Sequence, residues 1–132
     1  MRRWTAEDRR ARLVARHHLA PATRAARAGV DGVARDLVGL HGTDPASVFL
    51  ALWARCADVS VSDIERALYE DRTVVRMLGM RRTMFVVPVE LAPVIHSAAT
   101  MALVPGERRK LEQLVHAAGL VADPAPWLAV GQ

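Results

Sequence analysis

Arg9, Arg12 and Arg16 are spaced three and four residues apart, so on a helix they share one face. Such a face suits phosphate, because a guanidinium fork can grip two phosphate oxygens at once. The same chemistry recurs at Arg72, Arg76, Arg81 and Arg82, which follow one another without an intervening acid. Basic residues are unevenly spread along the 132-residue chain. Positions 1–30 hold eight arginines against Glu7 and Asp8, a balance of +6, while positions 31–132 hold ten basic against twelve acidic residues, a balance of −2; together these give the net +4. This asymmetry points to an anionic partner, either nucleic acid or a membrane surface. Base composition of the gene could also yield seventeen Arg against one Lys, but it does not explain where they cluster.

Other chemistry is sparse. His17 and His18 lie in the positive stretch, where they either meet phosphate or are ordinary exposed helical positions. His96 and His116 each stand without a Cys/His/Asp cluster at ligand spacing, so no metal is expected. The segment Gly39-Leu40-His41-Gly42 lacks both the spacing and the lysine of a P-loop, and no cofactor is expected. One cysteine, Cys56, excludes an internal disulfide framework and fits a reducing compartment, which makes a cytoplasmic location the expectation. No apolar h-region follows Arg2-Arg3, and no run approaches the ~18 to 20 apolar residues of a membrane span. A composition of 52% apolar and 24% charged residues describes an ordered domain with its own core.

The elements that must position these groups are mainly helical. Thr5 and Asp8 start a short basic helix reaching about His18, after which Pro21 and the Ala-rich residues 22–29 form a link. Asp31 is placed to cap a second helix bearing Val33, Leu37, Val38 and Leu40. Asp44-Pro45 is a strong helix start, carboxylate at N-cap and proline at the first helical position, and Val48, Phe49, Leu52, Trp53 and Cys56 then repeat as a buried face. Ser62 and Glu65 make a capping box for a third core helix with Ile64, Ala67, Leu68 and Tyr69. From Thr73 the period changes to that of a hairpin ending at Pro88. Glu90–Thr100 and Pro105–Ala118 follow as helices, the latter stopped by Gly119, and a further helix begins at Asp123-Pro124.

Three helices followed by a two-stranded ribbon is the order of a winged helix-turn-helix. The expected class is therefore mainly α with a small β-hairpin, divided into a basic helix and link (1–30), a winged-helix unit (31–88) and a helical extension (89–132) that starts a further unit. The third helix carries Asp63, Glu65, Glu70 and Asp71 against Arg66 and Arg72, a poor surface to offer to DNA. DNA contact is expected instead from Arg9, Arg12 and Arg16 on the first helix and Arg76, Arg81 and Arg82 on the ribbon. Leu91, Val94, Ile95, Leu111, Leu114 and Val115 exceed what one small unit covers, so self-association is expected. Trp53 and Cys56 are read as core, whereas Trp4 and Trp127 lie near the ends.

The segments Leu37-Val38-Gly39-Leu40-His41-Gly42-Thr43-Asp44-Pro45, Ala51-Leu52-Trp53-Ala54-Arg55 and Met80-Arg81-Arg82-Thr83-Met84-Phe85-Val86-Val87-Pro88 resemble the AlkZ/YcaQ-like winged-helix proteins. Ala11 to Leu19 also looks like that family's opening helix. The resemblance implies the opening portion of a longer bacterial protein built from tandem winged-helix units, whose characterised members are DNA glycosylases that remove alkylated bases and unhook interstrand crosslinks. Their catalytic motif is Gln-x-Gln or Gln-x-Asp just before the Asp-Pro helix start, so by position His41 replaces the first Gln and Thr43 the second polar residue. Neither residue type matches the motif. The chemistry still accommodates them, since an alkylated purine is already a cationic leaving group and the enzyme must mainly position water and stabilise positive charge on the sugar. A neutral imidazole, with an unperturbed pKa of ~6.5, can accept a proton from that water, Thr43 can hold it, and Asp44 can supply negative charge. The plain structural reading has Asp44 as a helix cap and His41 at the end of the preceding helix. Two functions thus stand side by side with double-stranded DNA as partner. One is a glycosylase acting on bulky alkylated purines; the other is a noncatalytic DNA-binding module or inactive truncated relative.

Overall fold

Residues 3–24 and 29–130 are described by a computed structural model, so part of the expected 22–29 link, positions 25–28, lies outside the described residues. Thr5 begins α1 (Ala6–Arg16) with a complete capping box: its hydroxyl accepts from the Asp8 N–H at 3.0 Å, and the Asp8 carboxylate accepts from the Thr5 N–H at 3.0 Å. That carboxyl is held below its ordinary pKa by the two Thr5 donors. No residue of α1 is buried. Its C-terminal end is tied to the remainder by His18, whose Nε2 meets the Asp36 carboxylate at 2.6 Å, and by Arg24, which donates to the Trp53 carbonyl at 2.9 Å.

Helix α2 (Val30–Asp36) has Gly29 at its N-cap, two residues before the expected Asp31 cap. Asp31 sits inside the first turn instead, where its charge still favours the positive end of the helix and faces Arg35 across one turn. The chain then reverses through Val38 and Gly39, both at positive φ (65° and 146°), and a Cβ at Gly39 would lie 2.8 Å from Val87 Cγ1. This turn delivers a two-residue strand, β1 (Leu40–His41), which corrects the placement of His41 at a helix end.

Asp44 starts α3 (Pro45–Trp53), its carboxylate accepting from the Ala46 N–H at 3.0 Å. Helix α4 (Val61–Glu65) is capped by Ser60 with Asp63, not by Ser62 with Glu65. Both pairs have the same spacing; the earlier start places Ile64 in the core with no exposed surface. The helix continues as a π-turn over Arg66–Glu70, closed by the Asp71 N–H donating to the Arg66 carbonyl at 2.9 Å.

Strands β2 (Val74–Leu78) and β3 (Met84–Pro88) form the expected antiparallel hairpin, and β1 adds to the other edge of β3 to give the order β1-β3-β2. Helix-strand-helix-helix-hairpin is compatible with a winged helix. Beyond the hairpin, α5 (Ala92–Ile95) runs into a second π-turn, α6 (Val104–Ala117) ends near Gly119 at φ 66°, and α7 (Pro124–Val130) follows. Among the described residues no single helix is long and apolar enough to cross a membrane, and the run from Val89 to Ala117 is bent by 77°.

The core joins Val33, Leu40, Val48, Leu52, Ile64 and Val86, with Phe49 and Leu68 packed against its margin. One expected member falls elsewhere. Trp53 is 44% exposed, because the buried stripe of α3 runs through Val48 and Leu52 and leaves Trp53 at the helix end, edge-on to Phe49. Phe85 is half-buried on the opposite side of β3 from Val86, as the two-residue period of a strand requires.

Candidate functional site

The loop from His41 to Asp44 is fixed from several sides by backbone contacts. Leu40 pairs with Val86 and His41 with Phe85, and the Gly42 N–H donates to the Met84 carbonyl at 2.8 Å. Ser47, in the first turn of α3, donates to the carbonyls of His41 (2.9 Å) and Asp44 (2.6 Å). Gly42 is buried, and a Cβ there would lie 3.3 Å from Val86 Cγ2 and 3.4 Å from Val48 Cγ2. The loop therefore closes over the core while its side chains at 41, 43 and 44 stay exposed.

His41 and Thr43 are brought together. The Thr43 hydroxyl accepts from the Met84 N–H at 3.2 Å, which leaves its own proton to donate, and its oxygen lies 3.4 Å from His41 Nε2. The imidazole is set by an edge-on contact with Phe85, ring centres 5.6 Å apart. Asp44 is the helix cap, with one carboxylate oxygen engaged by Ala46. The 3.4 Å separation leaves no room for a water between the two atoms, but one seated beside both could donate to Nε2 while accepting from Thr43, the arrangement that proton abstraction from water needs.

The arginines divide. Arg9, Arg12 and Arg16 all lie exposed on α1, with Arg12 seated 5.4 Å above the Trp4 ring. On the hairpin, Arg81 and Arg82 occupy the turn at positive φ (54° and 61°), but Arg82 pairs with Glu107 of α6. Arg76 turns inward to the loop, its Nε donating to the Gly42 carbonyl at 2.9 Å and its Nη2 to the Thr43 carbonyl at 3.3 Å. Sequence reasoning read Arg76 only as a phosphate ligand, because nothing in the local pattern reveals a partner 34 positions away. Ser47 was missed as well, although a hydroxyl three residues after a helix cap is a usable signal. His17 and His18 also part company: His18 is anchored by the Thr23 carbonyl and Asp36, both of which push its pKa up, with the Thr23 contact the larger cause. Among the described residues no group of three or more His, Cys, Asp or Glu could hold a metal ion.

The sequence model of the family described as DNA glycosylase AlkZ-like matches residues 34–129, most of the chain. The chain belongs to this AlkZ-like family. Comparison with curated proteins and with solved structures gives no match. The AlkZ-like match includes the whole His41–Asp44 loop, its Arg76 clamp and the hairpin, and leaves α1 outside.

Proposed function

We propose that the chain is a DNA-binding winged-helix unit of a DNA-repair glycosylase for bulky alkylated purines, with His41 as water activator and Thr43 as its orienting partner. The observation that carries this reading is the approach of Thr43 Oγ1 to His41 Nε2 on an exposed loop whose backbone is held by Met84, Ser47 and Arg76. In the reaction, water loses a proton to Nε2 as its oxygen bonds to the sugar carbon. The N-glycosidic electron pair leaves with the cationic purine, which neutralises it, and the Asp44 charge offsets the positive charge growing on the sugar. Double-stranded DNA is held through α1 and Arg81, with 1–30, 31–88 and 89–132 as the working division of the chain.

The test is release of base from duplexes carrying a defined N7-alkylpurine. Release that is lost in His41→Ala and Thr43→Val, with duplex binding retained, supports the reading. Release that persists in His41→Ala removes His41 from the chemistry. The noncatalytic reading is favoured by the structural use of Asp44 as cap, and it becomes the better account if duplex binding occurs with no release on any alkylated substrate.

A further inference from the structure

On the face of the sheet opposite His41, α3, the π-turn after α4, and strands β2 and β3 bound a groove of about 570 Å3, a size suited to one small ligand. Its accessible apolar floor is formed by Val75 and Val89, with Pro45 exposed and Phe49 and Leu68 half-buried beside them, while Val48, Val74 and Val86 beneath are at most 3% exposed and belong to the core. Tyr69 borders it with 71% of its surface exposed, a ring available for stacking. Two guanidinium groups line the groove, Arg72 and Arg76, and no carboxylate does. Arg76 spends its donors on the loop carbonyls, whereas no hydrogen bond or ion pair engages the Arg72 side chain among the described residues.

One apolar floor, one aromatic wall and one uncommitted cation select a planar ring carrying a single anionic group. A strand of nucleic acid is a poorer fit, because Glu65, Glu70 and Asp71 flank Arg72 along the same stretch of chain and repel a run of phosphates. We propose that this groove binds a free nucleoside monophosphate, the base against Tyr69 over the valine floor and the phosphate on Arg72. The site is separate from the His41–Thr43 pair and does not depend on the glycosylase reading, but Arg76 joins the two. Its side chain lines the groove and holds the carbonyls of Gly42 and Thr43, so a phosphate beside Arg72 also attracts the Arg76 guanidinium and is felt at Thr43.

The experiment is titration of the full chain with adenosine monophosphate, followed by amide NMR. Saturable shifts are expected at the groove and also at Gly42 and Thr43. Tyr69→Ala and Arg72→Gln, both exposed positions, should each weaken binding at least fivefold with unchanged melting, a loss typical of one stacked base. Adenosine without phosphate should bind more weakly. No saturable shift, or shifts that both variants leave intact, overturns the site. Tighter binding of a single-stranded oligonucleotide, abolished by the same two variants, overturns the free-nucleotide assignment. Shifts confined to the groove overturn the link through Arg76. Base release from alkylated duplex, measured in Tyr69→Ala, is expected to continue, so the two readings fail separately.

Discussion

Replacing Arg76 with Met separates two roles that a single arginine cannot fill at once. The aliphatic stem is kept, and what is lost is the fork over the Gly42 and Thr43 carbonyls, one bond at 2.9 Å and a longer one at 3.3 Å. A hydrogen bond from a charged donor contributes ~1.5–3 kcal/mol when well shielded; with Arg76 exposed and the second bond long, the pair is worth about 1–2 kcal/mol. For a chain of this size that is a fall in melting temperature of about 4–8 °C. A phosphate ligand would behave differently. Its removal would flatten the log-log salt dependence of duplex binding by ~0.9 and leave melting unchanged. The assays are thermal unfolding and fluorescence anisotropy of a labelled duplex over a salt series. An unshifted melt together with a slope reduced by ~0.9 would refute the clamp and restore Arg76 to the DNA surface.

Other perturbations follow from the same geometry. Leu52→Ala, at a position with no exposed surface, should cost about 2–5 kcal/mol in denaturant unfolding, and a change within ~0.5 kcal/mol would place α3 outside the core. Replacing Arg9, Arg12 and Arg16 together should weaken binding to all duplexes about equally and reduce the salt slope by up to ~3 units, whereas unchanged binding at every salt concentration would show that the arginine excess is compositional. His18 has its pKa raised by the Thr23 carbonyl and Asp36, so its contribution is complete below the unfolded value of ~6.5 and is lost as pH rises through the higher folded value. Melting measured across that window should decline with a component that His18→Gln removes; identical pH profiles would exclude it. Exposed Leu111, Leu114, Leu120 and Trp127 on or near α6 and α7 should drive self-association at high concentration, and sedimentation as a strict monomer would contradict this.

Much of the positioning framework is legible in residue order. Asp44-Pro45 marks the start of α3 to the residue, and the change of period after Thr73 marks the hairpin. What escapes is short or reciprocal. A two-residue strand has no period of its own, so Leu40–His41 becomes a strand only through its partners on β3. Ser60–Asp63 and Ser62–Glu65 are indistinguishable by spacing, and burial of Ile64 decides between them. Trp53 follows the helical repeat yet is the last residue of α3, and among the described residues it stays 44% exposed. The resemblance supplied His41 and Thr43 as a pair, and the structure adds the 3.4 Å approach and the Met84 N–H that the Thr43 hydroxyl accepts.

Gly42 sets the terms on which this loop can evolve. The space its hydrogen faces is closed by two valine methyl groups at 3.3 and 3.4 Å, so even alanine makes those methyls yield and anything larger lifts the loop off the sheet. In a library randomised over positions 41 to 43, surviving sequences should vary at the two ends and hold glycine in the middle. Mutation can thus change which acid, base or amide the loop presents while leaving the spacing between the two presented groups fixed, so new chemistry is reachable here by single substitutions without rebuilding the scaffold.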